Sequence, residues 1–257
     1  MDDISASVLS SGSVGNSILV TSQDHAVLVD AGISCRELER RMSSFGVEPS
    51  QVEAVLLTHE HADHMRGARR FCGDHGVPVY ATRGTLVLTP LDGCERVTIA
   101  AGLQFEVGPF CASPFKVRHL AAEPVAFSLS CESRKVGIAS DLGCVTPNVV
   151  EQLKGSDLIF VEANYDERML LTGSYPDFLK RTIKGDHGHL SNEDAGKLSV
   201  KSCTGNTQRV VLVHLSRENN TLEKAKETVE RHLMKSKLGV GVCPVEHGAP
   251  GGPFRLR

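Results

Sequence analysis

Short apolar stretches recur along the chain and set its rhythm. The first are β-rich and brief, at Ala6–Ser10, Asn16–Thr21 and Ala26–Asp30. An amphipathic segment at Cys35–Phe45 follows, with Arg36, Arg40 and Arg41 between apolar positions, and it predicts a helix. Val52–Thr58 is mostly apolar and predicts a buried strand, and His64–Cys72 predicts a helix ending at Gly73. Strands are expected at Val77–Ala81, Val97–Pro109, Phe110–Val117, Val125–Cys131 and Lys135–Ser140. The second half repeats the scheme: strand Leu158–Glu162, helices Pro176–Lys184 and Ser191–Cys203, strand Arg209–His214, then helix Leu222–Met234. Ser191 followed by Asn192, Glu193 and Asp194 is a good helix start, a capping hydroxyl with acids in the first turn. Strands followed by helices in each half predict two packed sheets with helices outside, one domain over residues 1–257 with loose internal duplication.

Composition narrows the class. A chain of 257 residues buries a full core, and a net charge of −3 gives no overall basic field, although a local basic groove can sit on an acidic protein. The eight cysteines lie far apart with no C-x-x-C pair, which points to a reducing, cytoplasmic setting rather than a disulfide framework. The first residues carry neither a basic nor an apolar signal region, and no apolar run approaches the roughly 20 residues of a membrane helix. A soluble cytoplasmic protein is expected.

The chemistry concentrates at the tip of the Val52–Thr58 strand, in His59-Glu60-His61-Ala62-Asp63-His64. Side chains alternate along an extended segment, so His59 and His61 point the same way, while Asp63 and His64 fall where the chain turns and can face a second point in space. One short segment can thus serve two adjacent ions, and imidazole with carboxylate suits zinc, iron or manganese. The plainer alternative, a solvated polar loop, does not account for the strand that delivers the motif. Further candidates stand singly at the ends of predicted strands: His119, Asp141 and His214, with Asp30 as a carboxylate that could orient a ligand histidine. Asp141 is attractive as a bridging carboxylate, since its two oxygens can reach two ions.

H-x-H-x-D-H followed in order by a lone His, a lone Asp and a lone His resembles the metallo-β-lactamase fold, over nearly the whole chain. That resemblance implies an αββα sandwich with metals at the sheet edges. It also implies that His59, His61 and His119 hold one ion, that Asp63, His64 and His214 hold the other, and that Asp141 lies between them. Finer motifs look like the YycJ/WalJ exonuclease group: Ser11–Ser17, Ala122–Val125, Glu162–Asp166, Gly188–Asn192 and His214–Asn220. One departure is Leu120, where the group often carries Asp after the third-motif histidine. The interval from Asp141 to His214 is too short for the cap domain of related nucleases.

The reading that follows is a 5′→3′ DNA exonuclease using two divalent ions, manganese or zinc with iron possible, and a metal-activated bridging water. Asp63 and His189 are the expected catalytic residues, with substrate contacts from Ser13, Asn16, Asn164 and His189. Gly12, Gly15 and Asn16 would let backbone N–H groups approach a phosphate, though an ordinary hairpin turn explains the same glycines. His187 and His189 flank a predicted helix start and could neutralise a phosphate. The basic runs Arg66–Arg70 and Lys180–Lys184 could rim a groove for a polynucleotide, or simply be solvated helix faces. Two other classes compete: a hydrolase of a small cyclic phosphodiester or thioester on the same metals, and a non-catalytic metal-bound interaction module, against which the intact ligand series argues.

Overall fold

The computed structural model of the protein describes residues 4–256. Two seven-stranded sheets form its centre. The first runs β14-β1-β2-β3-β4-β5-β6, from β1 (Ile4–Ser10), β2 (Ser17–Ser22), β3 (His25–Val29), β4 (Val52–Leu56), β5 (Val79–Thr82), β6 (Arg96–Ile99) and β14 (Gly251–Arg255). The second runs β13-β12-β11-β10-β9-β8-β7, from β7 (Phe105–Val107), β8 (Phe110–Lys116), β9 (Val125–Cys131), β10 (Arg134–Ala139), β11 (Leu158–Glu162), β12 (Arg209–Val213) and β13 (Gly241–Pro244).

The apolar runs are continuous because the central strands are buried on both faces. In β3, Val27 and Val29 join the core between the sheets while Ala26 and Leu28 face the outer helices. In β11, Leu158 and Phe160 point to the shared core and Ile159 and Val161 to the opposite layer. Helices α1 (Cys35–Ser44) and α3 (Ala68–His75) cover the first sheet through Leu38, Met42 and Phe71. Helices α5 (Pro147–Leu153), α8 (Asn192–Ser202) and α9 (Leu222–Met234) cover the second through Leu153, Leu198 and Val229. This is the expected αββα sandwich. Among the described residues no helix is long and apolar enough to cross a membrane.

Several helices form where the sequence places them. Ser34 caps α1, its hydroxyl accepting from Glu37 N, and Ser191 caps α8 by accepting from Asp194 N at 3.1 Å. Four differences stand out. The helix expected over His64–Cys72 is two helices, α2 (Ala62–Met65) and α3, and the second runs through Gly73 to His75. The break falls at Gly67, whose N–H donates to Ala31 O and where a Cβ would sit 2.0 Å from Ile33 O. The chain is docked there on the loop after β3, and only glycine allows it. The single strand expected over Val97–Pro109 is β6 and β7, which belong to different sheets and are joined by a turn closed by Leu103 N donating to Ala100 O. Three short helices, α4 (Arg83–Leu88), α5 and α6 (Glu167–Thr172), lie where no helix is expected. The C-terminal β13 and β14 are also unanticipated, and β14 pairs antiparallel with β1. Helix α7 (Asp177–Lys184) completes the set.

Candidate metal centre

The site gathers where strands of both sheets end. Past the tip of β4 come Thr58 and His59, past β3 comes Asp30, past β10 Asp141, and past β12 His214. Asp30, Asp141 and His214 have φ of 62°, 55° and 56°, left-handed backbone at three strand ends. Each such residue carries a conformational cost, on the order of 1–3 kcal/mol, that the packed sheets around it must hold in place. The turn aims each side chain across the sheet edge instead of along the strand. Gly32 makes room for the motif loop: a Cβ there would lie 1.7 Å from Asp63 O.

Candidate ligand atoms cluster in the groups that the family resemblance implies, and Asp141, Glu162, His189 and His214 form one more that it does not. His59, His61 and His119 offer one set, Asp63, His64 and His214 another, and His59, His64 and Asp141 a third that joins the two, each with its donor atoms within 4.8 Å of one another. Asp141 reaches both sides, with Oδ1 3.7 Å from His119 Nε2 and Oδ2 3.1 Å from His64 Nε2.

Each imidazole is held by its other nitrogen. His59 Nδ1 lies 2.9 Å from Thr58 Oγ1, His61 Nε2 3.1 Å from Leu120 O, and His119 Nδ1 3.1 Å from Gly188 O. His64 Nδ1 is 2.7 Å from Asp30 Oδ2 and His214 Nδ1 is 2.9 Å from Glu162 Oε1. These contacts fix the ring orientations and leave His59 Nε2, His61 Nδ1, His119 Nε2, His64 Nε2 and His214 Nε2 to converge. The buried His59 Nε2, His214 Nε2 and Asp141 Oδ2 have no hydrogen-bond partner. Buried polar atoms without partners are costly, and three aimed at one small volume are what a divalent cation would satisfy. The donor set therefore fits a metal centre.

The charges agree. Burial works to raise Asp141, but the His214 and His64 imidazoles facing it hold it well below the usual carboxylate range. Burial opposes protonation of His214, yet the carboxylates of Asp141, Asp63 and Glu162 beside it push it up to about 10. An imidazole protonated on both nitrogens cannot ligate, so a cation settling among these carboxylates displaces protons as it binds.

The remaining predicted residues divide. Asp30 sits behind His64 as expected and also accepts from Thr58 N at 2.8 Å. Asn16 reaches the centre, its Nδ2 2.9 Å from His64 Nε2 and 3.2 Å from Asp63 Oδ2, while its Oδ1 accepts from Gly12 N. Ser13 is exposed at the tip of that glycine loop. Asn164, expected to touch substrate, is buried behind the centre and donates to His214 O at 2.9 Å, so its amide braces the end of β12. His189 forms part of the wall, with its ring 5.3 Å from that of His119 and 5.2 Å from that of His214, and with Nδ1 2.7 Å from Glu162 Oε1. His187 is exposed beside a groove of about 740 Å³ that opens past His119 and Leu120 and carries Lys116 and Arg118. Leu120, the departure from the family motif, has a side chain that is 69% exposed, and its backbone carbonyl supplies the hold on His61.

Three further contributors, Glu162, Thr58 and Ser11, have no role assigned from the sequence. Glu162 is fully buried and serves both His189 and His214. Burial would raise it, but those two imidazoles keep it ionised below its ordinary value. Thr58 links Asp30, His59 and His64, and Ser11 Oγ accepts from His214 N at 2.7 Å. The position of Glu162 at the end of a buried strand, like Asp30 and Asp141, is the signal that could have found it.

Comparison with known proteins places the chain in a family. The Beta-lactamase superfamily domain matches residues 25–215. The exodeoxyribonuclease WalJ of Streptococcus pneumoniae (strain D39) is 32% identical over 92% of this chain and 90% of its own, and the exodeoxyribonuclease YycJ of Bacillus anthracis is 33% identical over 91% of each. Among solved structures, the metallo-β-lactamase fold protein YhfI from Bacillus subtilis superposes with a TM-score of 0.75 over 98% of this chain and 99% of its own at 19% identity. The chain belongs to the β-lactamase superfamily and, within it, to the family of the WalJ and YycJ exodeoxyribonucleases.

Proposed function

We propose that this protein is an exonuclease that removes nucleotides from DNA in the 5′→3′ direction, using two divalent ions, manganese or zinc. The observation that carries the reading is the pair of ligand sets with Asp141 between them, every imidazole braced from behind. The exodeoxyribonuclease relatives at about a third identity support DNA as the substrate. His59, His61, His119 and Asp141 would hold one ion, and Asp63, His64, His214 and Asp141 the other. Bound there, the ions supply Lewis-acid polarisation of a phosphodiester and of water.

The chain's own groups do the rest. Asp63 is partly exposed and its Oδ2 lies 3.7 Å and 3.8 Å from the Nε2 atoms of His64 and His214, so a carboxylate oxygen is present to orient a nucleophilic water. Burial opposes a proton on His189, but Glu162 beside it raises the imidazole above its ordinary value. With Nδ1 held by Glu162, Nε2 of His189 is left to donate to a phosphate oxygen or a leaving hydroxyl. Lys116 and Arg118 line the open groove beside the centre together with Glu60 and Glu123, and these two cations are the groups there that can meet a nucleic acid backbone. All eight cysteines are unpaired, in keeping with a reducing compartment.

The test is digestion of end-labelled duplex DNA and of a small phosphodiester, by wild type and His189→Ala, over a range of salt. His189→Ala should lower kcat on DNA by roughly 10²-fold or more with metal content unchanged. DNA binding should weaken steeply with salt, while turnover of the small ester should barely respond. Fast small-ester turnover with no DNA digestion under any divalent metal would replace the exonuclease reading with that of a small-substrate hydrolase.

A further inference from the structure

A second cluster of metal-ligating side chains lies away from this centre, between α1 and α3. Cys35 and Glu39 stand one turn apart on α1 and share a face. His75 closes α3 opposite them. Cys35 Sγ is 3.3 Å from Glu39 Oε1, and His75 Nε2 is 2.8 Å from the same oxygen. All three donor atoms lie within 4.8 Å of one another, as closely gathered as the sets at the catalytic centre.

We infer that Cys35, Glu39 and His75 form a separate binding site for a borderline-soft divalent cation such as zinc, clamping α1 to α3. Thiolate, imidazole and carboxylate are the donors such a cation takes, and three protein ligands leave a fourth position open to solvent. The site is graded from inside to outside: Cys35 is 6% exposed, whereas the side chains of His75 and Glu39 are 27% and 38% exposed, so an ion can enter from solvent and meet a buried sulfur. The Phe71 ring lies 5.0 Å from that of His75 and limits its movement. Burial, with the Glu39 carboxylate adding to it, pushes the Cys35 thiol up to about 12. The thiol therefore carries a proton facing Glu39, and that proton leaves to solvent when a cation takes its place. The clamp would hold α3, which follows closely on the H-x-H-x-D-H segment, against the helix behind β3.

Cadmium is the probe, added alone to metal-stripped full-length protein. Sulfur-to-cadmium charge-transfer absorption reports only thiolate sites, so the nitrogen and oxygen ligands of the catalytic centre are silent. The expected result is a band that Asp141→Ala retains and Cys35→Ser loses. Removing one of the other two donors, in Glu39→Gln or His75→Ala, should shift the binding midpoint upward by about tenfold or more. Cys35→Ser should also digest DNA as wild type does. A wild type with no thiolate band, or a Cys35→Ser protein with the same band and midpoint as wild type, overturns the site. Should Cys35→Ser fail to fold, an unmoved midpoint in both Glu39→Gln and His75→Ala overturns it equally.

Discussion

Replacing Glu162 by glutamine tests how the protein orients its ligands. Glu162 Oε1 accepts from His189 Nδ1 at 2.7 Å and His214 Nδ1 at 2.9 Å, and Oε2 accepts from Leu142 N at 2.7 Å and Leu190 N at 3.3 Å. All four partners are donors, and the carboxylate meets them with acceptors on both sides. Glutamine has one oxygen and one NH₂: with the oxygen turned to the imidazoles, Leu142 N and Leu190 N face a donor, and with the NH₂ turned to them both rings must take the tautomer that protonates Nε2 and blocks it for metal. Two buried N–H groups left without acceptors cost about 1–3 kcal/mol each, so the variant should lose roughly 2–6 kcal/mol. Metal affinity should fall about 10–100-fold, because His214 loses the contact that fixes its ring. Urea unfolding of metal-stripped protein measures the first quantity and competition with a metal chelator the second. A Glu162→Gln protein within about 0.5 kcal/mol of wild type and with unchanged metal affinity would show that Glu162 does not orient these imidazoles, since a neutral surface substitution behaves that way.

Other consequences follow from single contacts. Gly32→Ala places a methyl 1.7 Å from Asp63 O and 2.6 Å from Asn16 N, both backbone, and should cost at least about 3 kcal/mol in a thermal melt, with the motif loop displaced. The thiols of Cys72 and Cys203 are pushed up to about 12 by burial, so mass spectrometry of the folded protein should show both unlabelled by an alkylating reagent at mildly alkaline pH, with DNA digestion largely intact. Complete inactivation with fold and metal retained would instead reopen a cysteine mechanism. Asn164→Ala should reduce stability more than it raises KM, because the Asn164 amide holds His214 O rather than facing the groove.

What was legible in the sequence depended on how local its cause was. The doubly buried strands read as apolar runs because alternate residues enter different cores, and β9 and β11 fall at the expected residues. The H-x-H-x-D-H segment and the single His119, Asp141 and His214 were legible because each follows a strand. The division of α2 from α3 was not, since it comes from Gly67 docking on the Ala31–Ile33 loop, a contact between segments distant in sequence. Helices α4 and α6 span six residues each, too few for a helical period to show. Strand β14 begins Gly251-Gly252-Pro253, which reads as a turn, and pairing with β1 makes it a strand. Asn164 and Glu162 share one recognisable motif, yet only the three-dimensional contacts separate the residue that braces a strand end from the one that orients two imidazoles.

Metal content and DNA digestion measured on one sample bear on both halves of the two-ion exonuclease reading. Metal-stripped protein is reconstituted with manganese or zinc and freed of excess. Its metal content is determined on the same sample whose digestion of a 5′-labelled duplex is followed, alongside Asp141→Ala. The reconstituted wild type should hold about two ions per chain and release the 5′ label early, and the variant should lose both properties. Full activity in stripped protein, or digestion supported by a single ion per chain, would rule out the two-ion centre.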